Sequence, residues 1–335
     1  MIHPPAPRVS VCICAFNAAR FLDAALASAA QQTYRNLEIL VIDDGSSDET
    51  AAVATRWSET DSRVRLLHFA ENRGIAYARQ TALEAATGDW VVFLDADDVA
   101  LPEMIERQMT MAQNDSSIAV VGVAAILTGP RGPSEPIGVR RVGPSSKDHF
   151  RQLVENSKLV FMETPALMSR QVAIEAGGLR LFASERDATV HMRDFAEDLD
   201  LWCRISDVGR QGRFMIALPE PLVYIRKTAG SLSSVNSRLM AMKMAWIKDC
   251  LRRRRQGRPE LQYDDFERSM TRVQWLRFQW KAFAAQQWRE LGSAYMERKW
   301  VEAAWRLFLL LLVNPRRLIR GRVQRIQQPA KVEDS

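Results

Sequence analysis

The sequence predicts an α/β protein with a Rossmann-like, mostly parallel central sheet flanked by helices and followed by a C-terminal helical extension. Three observations predict it. Apolar, β-branched strands alternate with amphipathic helices as far as Leu127, polar residues recur just past the strand ends, and from about Val235 the composition shifts to Trp, Arg and Leu. Strands joined through helices by short connections pair in parallel, and a parallel sheet is covered on both faces.

Each element has its own reason. "RVSVCICAF" (Arg8 to Phe16) is an apolar run without turn residues, as in a strand buried on both faces. Asn17 offers a cap to "AARFLDAALASAAQQ", where Leu22, Ala25, Leu26 and Ala29 repeat at helical spacing. "LEILVID" is a second buried strand, ending at Asp43, Asp44 and Gly45, and "SSDE" (Ser46 to Glu49) reads as a capping box for the next helix. "RVRLLHF", "GIAYARQTALEAA" and "WVVFLDADD" continue as strand, helix and strand, and Pro102 suits the first turn of "PEMIERQMTMAQ". After "IAVVGVAAIL", the Gly- and Pro-rich stretch Thr128 to Ser146 reads as a loop or irregular ribbon. "AEDLDLWCRISDVG" opens a helix with acids in its first turn, and "RFMIALPEPLVYIRK" returns as extended structure.

The 335 residues suit one large domain or two ordinary ones, and 47% hydrophobic with 26% charged content is that of a soluble globular protein. The expected division is a catalytic-type domain over 1–234, with halves at about 8–127 and 147–234, and a basic helical region over 235–335. The net charge of +6 is concentrated late, in "RRRR" (Arg252 to Arg255) and "NPRRLIRGRVQR". Such a tail favours anionic partners, meaning acidic lipid headgroups, nucleic acid or an acidic protein; no nucleic-acid reading module accompanies it, so nucleic acid is not expected. "MIHPPAPR" lacks a secretory signal, and "LFLLLLV" is too short to span a bilayer, which needs ~20 residues. Cys12, Cys14, Cys203 and Cys250 form no metal or redox spacing and read as reduced. The expected location is the cytoplasm, with the inner face of the cytoplasmic membrane as the surface a basic tail would touch.

Asp95, Asp97 and Asp98 follow a strand that reads as core. Carboxylates that close repel unless a cation sits among them, and an open oxygen-only set suits Mg²⁺ or Mn²⁺ completed by a diphosphate. Read alone, Asp97 and Asp98 are equally suited to capping the helix near Pro102. Asp43 and Asp44 are equally a turn, Arg79 a surface position, and Glu197, Asp198 and Asp200 ordinary first-turn acids. Ligands of parallel sheets bind beyond the carboxyl ends of the strands, where these residues gather.

In order and spacing, "VSVCICAFNAARFL", "QQTYRNLEILVIDDGSSDET" and "ENRGIAYARQTALEAATGDWVVFLDADD" resemble the nucleotide-binding half of a family 2 glycosyltransferase of the GT-A fold. "AEDLDLW" and "YIRKTAGSLS" resemble the family's two later motifs, so the likeness runs from about Arg8 to Ser233. The resemblance implies that Ala15, Phe16 and Asn17 line the base site, with Asp44 accepting from the base. It sets Arg73 and Arg79 near the diphosphate, Asp95 at ribose or metal, and Asp97 on the divalent ion, with Asp98 as support or helix cap. Asp198 becomes the catalytic base, with Glu197 beside it on the acceptor side. Two positions depart from the pattern. Thr228 stands where many relatives carry His, leaving Arg226 and Lys227 to supply charge to the phosphates, and Phe16 stands where Tyr is common.

The implied activity is an inverting, metal-dependent transfer (Mn²⁺ or Mg²⁺) of a sugar, from a UDP-sugar by preference. The acceptor is a glycan or lipid-linked sugar in surface polysaccharide synthesis. Alternatives are a sugar nucleotidyltransferase, for which "CAFNAARFL" lacks the glycine-rich basic loop, and a non-catalytic sugar-binding scaffold. "WRELGSAYMERKWVEAAWRLFLLLLVNP" resembles a tetratricopeptide-type helix pair, and its Trp, Leu and Arg content fits either peripheral membrane contact or packing on the domain.

Overall fold

The computed structural model describes residues 6–181, 196–227, 237–296 and 299–313. The chain divides at Lys227/Thr228 into two compact units.

In the first unit, β1 (Val9–Ala15) pairs in parallel with β2 (Leu37–Asp43) and β4 (Trp90–Phe93), and β2 with β3 (Val64–His68). All seven residues of β2 are buried, as its unbroken apolar run requires. Three helices make the crossovers: α1 (Ala19–Ala30), α2 (Thr50–Thr60) and α3 (Ile75–Ala85). Beyond them lie β5 (Val99–Ala100), α4 (Met104–Asn114), β6 (Ile118–Thr128), β7 (Pro136–Arg140), α5 (Lys147–Glu155), β8 (Leu167–Ser169), α6 (Arg170–Glu175), α7 (Glu197–Val208) and β9 (Phe214–Arg226). The nine-stranded sheet runs β3-β2-β1-β4-β8-β6-β9-β5, with β7 beside β6.

Parallel pairing holds through the strand–helix alternation. In the second half β6 and β9 are parallel, whereas β8, β7 and β5 run antiparallel to their neighbours. The Thr128 to Ser146 stretch shows why: it turns back through β7 onto β6 as a ribbon, without the crossover helix a parallel return needs.

Two capping expectations are corrected. Helix α1 opens after Ala18 and α2 after Glu49, neither with a side-chain cap. Asn17, at φ 49°, accepts the Ser47 N–H on Oδ1 at 2.8 Å and donates its own N–H to Ser46 Oγ at 2.9 Å. These side chains tie the loop after β1 to the loop after β2, so they serve neither helix end.

Glu38, buried in β2, shows what a satisfied carboxylate needs. Ser10 Oγ donates to it at 2.6 Å, the Thr87 N–H at 2.7 Å and Arg65 at 3.1 Å. Burial alone would raise its pKa, but these bonds and the nearby Arg8 hold it at about 2.

The second unit is helical: α8 (Ser237–Arg255), α9 (Tyr263–Ser269), α10 (Arg272–Met296) and α11 (Trp300–Val313). Trp246 Nε1 donates to Leu261 O at 2.8 Å, pinning the α8–α9 connection. The expected helix pair is present as α10 and α11, joined by an Arg306–Glu290 ion pair at 2.6 Å. In "RRRR", Arg253 pairs with Asp249 and Arg254 with Glu260. No described helix is long and apolar enough to cross a membrane. The four cysteines form no disulfide.

Candidate functional site

The carboxyl ends of β1, β2 and β4 bring the candidate residues to one edge. Ala15 is buried and offers only its backbone; its carbonyl takes the Asp44 N–H at 2.8 Å. Phe16, 48% exposed, presents a ring on which a base can stack. Asp44 is buried and accepts the N–H of Arg73 at 2.7 Å and of Gly74 at 3.0 Å. It therefore clamps the loop before α3. Asp43 does similar work unforeseen in the sequence, holding His68 Nδ1 at 2.7 Å and the Ser46 N–H at 3.2 Å. Arg73 is exposed, its guanidinium 3.5 Å from the centre of the Tyr77 ring and bonded to the Tyr77 hydroxyl.

Arg79 is the hub of the site. It sits on the buried face of α3, with 6% of its surface exposed, so it is no surface position. One arm donates to Asp95 Oδ1 at 2.6 Å and another to Glu197 Oε1, across 118 residues of sequence. Burial disfavours its charge, but Glu197 and Asp95 more than compensate and raise its pKa. Burial pushes Glu197 up to about 7, against the pull of Arg79. Asp198 is also raised by burial, again opposed by Arg79. Asp198 Oδ1 accepts the Leu199 N–H at 2.7 Å. Ala196, just ahead, takes the left-handed conformation at φ 61°, which turns the chain into α7.

The three acids after β4 are not equivalent. Asp98 is buried, and its Oδ1 accepts the Arg226 N–H at 3.0 Å, so it caps no helix and ties the end of β9 to this loop. Burial and then the charges of Asp95 and Asp97 push it well up. Asp97 is half-buried, raised by burial and then by Asp95, and its carboxylate bonds no other described residue. Among the described residues no three His, Cys, Asp or Glu side chains converge as a closed metal cage. Asp97 with Asp95 is instead an open oxygen pair, with a raised, unpartnered carboxylate that a cation would satisfy; this fits Mg²⁺ or Mn²⁺ sharing its shell with a diphosphate.

Arg226 is held by groups of the protein itself. Its Nε donates to the Asp97 carbonyl at 3.2 Å, another arm reaches the Pro130 carbonyl, and its guanidinium lies 4.5 Å from the Phe21 ring centre. It shapes the acid loop before it could touch a phosphate. Thr228 to Ser233, the later part of that motif, lie outside the described residues.

The model of the family described as Glycosyl transferase family 2 matches residues 10–177, half of the chain. An uncharacterized glycosyltransferase of Haemophilus influenzae is 36% identical over 116 residues, 35% of this chain and 36% of that protein. The Escherichia coli UDP-Glc:alpha-D-GlcNAc-diphosphoundecaprenol beta-1,3-glucosyltransferase WfgD is 41% identical over 103 residues, 31% of this chain and 40% of that protein. The chain thus spans less than half the length of these curated relatives. In structure, the mannosyltransferase PcManGT from Pyrobaculum calidifontis, solved with GDP-Man and Mn²⁺, matches with a TM-score of 0.53 at 21% identity. That match takes in 93% of this chain and 83% of that one, a likeness of fold.

Proposed function

The chain belongs to glycosyl transferase family 2, and on that premise we propose that it is an inverting glycosyltransferase in surface polysaccharide synthesis. The donor is a nucleotide sugar, UDP-linked by preference, and the acceptor a glycan or lipid-linked sugar. WfgD, which by its name transfers glucose from UDP-Glc to a diphosphoundecaprenol-linked sugar, supports that choice. The observation that carries the reading is the Arg79 bridge: one buried guanidinium joins Asp95, at the donor acids, to Glu197 beside Asp198.

In the proposed mechanism Phe16 stacks on the base, while Ala15, Asn17 and Asp44 shape its pocket. Arg73 adds positive charge near the diphosphate. Asp97 and Asp95 would hold a divalent cation, which when bound supplies Lewis-acid stabilisation to the leaving diphosphate. Asp198 accepts the proton of the acceptor hydroxyl as its oxygen attacks the anomeric carbon. Attack from the face opposite the leaving group inverts that carbon. Arg79 and Glu197 fix the helix end that carries the base, and Arg226 and Asp98 fix the acid loop.

Peripheral contact with the inner face of the cytoplasmic membrane is part of the proposal. Val301, Trp305 and Phe308 lie exposed on the side of α11 opposite buried Ala303 and Leu310, as in helices that rest in an interface. Co-sedimentation with anionic vesicles, lost in Trp305→Ser, tests that part. The function as a whole is tested with a panel of nucleotide sugars plus Mn²⁺ or Mg²⁺ and lipid-linked acceptors. Nucleoside diphosphate release is expected with one donor, absent in Asp97→Ala. Release of pyrophosphate from a sugar phosphate and a nucleoside triphosphate would favour the nucleotidyltransferase instead.

A further inference from the structure

Arg226, the last residue of β9, joins two loops that lie far apart in sequence. Its N–H donates to Asp98 Oδ1 at 3.0 Å and its Nε to the Asp97 carbonyl at 3.2 Å, so it grips two of the acids that follow β4. The far end of the side chain leaves that loop. Nη1 donates to the Pro130 carbonyl, and the guanidinium carbon lies 4.5 Å from the centre of the Phe21 ring on α1. Pro130 belongs to the turn between β6 and β7, and that turn closes on itself. The Gly129 N–H donates to the Glu135 carbonyl at 2.9 Å, the Glu135 N–H to Gly132 O at 2.8 Å and the Gly132 N–H to Gly129 O at 3.0 Å. Gly132 stands at φ 74°, and a Cβ there would lie 2.7 Å from Nη2 and 2.9 Å from Nη1 of Arg226. Those atoms end a flexible side chain, so an alanine at 132 displaces the guanidinium rather than the backbone. Three carboxylates on one short loop repel until a cation arrives, so the shape of the acid loop depends on bonds from outside it.

We propose that Arg226 is a positioning residue for the cation-binding acids, and that the β6–β7 turn acts on cation affinity through it, with Gly132 leaving the space its guanidinium occupies. The inference rests on the cation role proposed for Asp97 and Asp95. Held by its carbonyl, Asp97 presents its carboxylate from a fixed backbone. Released, the same carboxylate must be ordered as the cation binds, which weakens binding without removing a ligand.

The test is Mn²⁺ binding to the full chain, alone and with UDP, followed by the electron paramagnetic resonance signal of free Mn²⁺. Gly132→Ala should weaken binding about fivefold or more, the equivalent of one lost hydrogen bond, with the fold retained in thermal unfolding. Arg226→Met should weaken it at least as much. Adding Gly132→Ala to Arg226→Met should weaken it no further, because the new methyl has no guanidinium to displace. Gly212→Ala is the control. Its φ is 91° and nothing lies within 4 Å of an added Cβ, so it carries the backbone strain alone and keeps wild-type Mn²⁺ affinity. Additive losses in the double variant, or a loss in Gly212→Ala equal to that in Gly132→Ala, overturn the proposal. So does wild-type affinity in folded Gly132→Ala and Arg226→Met. A wild type that binds no Mn²⁺ in either condition would count against the cation reading itself, and the inference falls with it.

Discussion

Arg79 is the residue on which the site depends. Its sequence context gives an arginine on an amphipathic helix; only the fold shows that it is buried between Asp95 and Glu197. Removing one partner of such a pair strands a buried charge. Arg79→Met is expected to lower stability by about 3–5 kcal/mol, read by urea unfolding. Arg79→Met/Glu197→Gln should regain much of the loss, because the stranded carboxylate becomes a neutral amide. A single variant as stable as the wild type would show that the bridge does not exist in solution. Asp95, Asp97 and Asp198 were legible as candidates because carboxylates past strand ends or in a first helical turn are chemically conspicuous. The Arg140–Glu163 ion pair was not, since nothing in the local sequence joins two residues 23 apart.

At the level of elements, the strands and crossover helices of the first half follow from apolar runs and helical periodicity. What the pattern misassigned were the polar residues between them. Asn17 and Ser46 look like caps, yet they join two loops to each other. A second junction, between the loop after β2 and the loop before α3, makes Gly45 irreplaceable. At φ 70° its added Cβ would lie 2.3 Å from the Glu71 carbonyl carbon and 2.5 Å from the Asn72 nitrogen, both backbone atoms. Gly45→Ala is therefore expected to cost about 2 kcal/mol or more and to weaken nucleotide binding, because Asp44 loses its hold on Arg73 and Gly74. Gly257→Ala is the control: φ is 67° but the space is open, so only the roughly 1 kcal/mol of left-handed strain applies. Equal losses in thermal unfolding for the two variants would contradict the clamp.

Across the first unit, the carboxylates divide into two kinds. Glu38 is surrounded by donors and held at about 2, so it stays ionised and supports the fold. Asp97, Asp98, Glu197 and Asp198 are each pushed up by burial, with fewer donors than Glu38 has. Concentrating unsatisfied charge at one sheet edge is unfavourable for folding and suits a site completed by cationic and phosphate ligands. The sequence could reveal the acids but not this contrast, which depends on which donors the fold brings near each one. The second unit was legible as helices from composition alone, because an aromatic, Arg-rich chain without strand alternation has few other options.

The most direct measurement of the central claim is the pH dependence of nucleoside diphosphate release by wild type and Asp198→Asn. A base must be ionised, and burial raises the pKa of Asp198, so activity should fall on the acid side at a pH above the ordinary aspartate range. Asp198→Asn should lose activity about 10²-fold or more, with that acid limb gone and nucleotide affinity retained. Near wild-type turnover in Asp198→Asn, with the acid limb unmoved, would contradict the assignment of the base and the mechanism built on it.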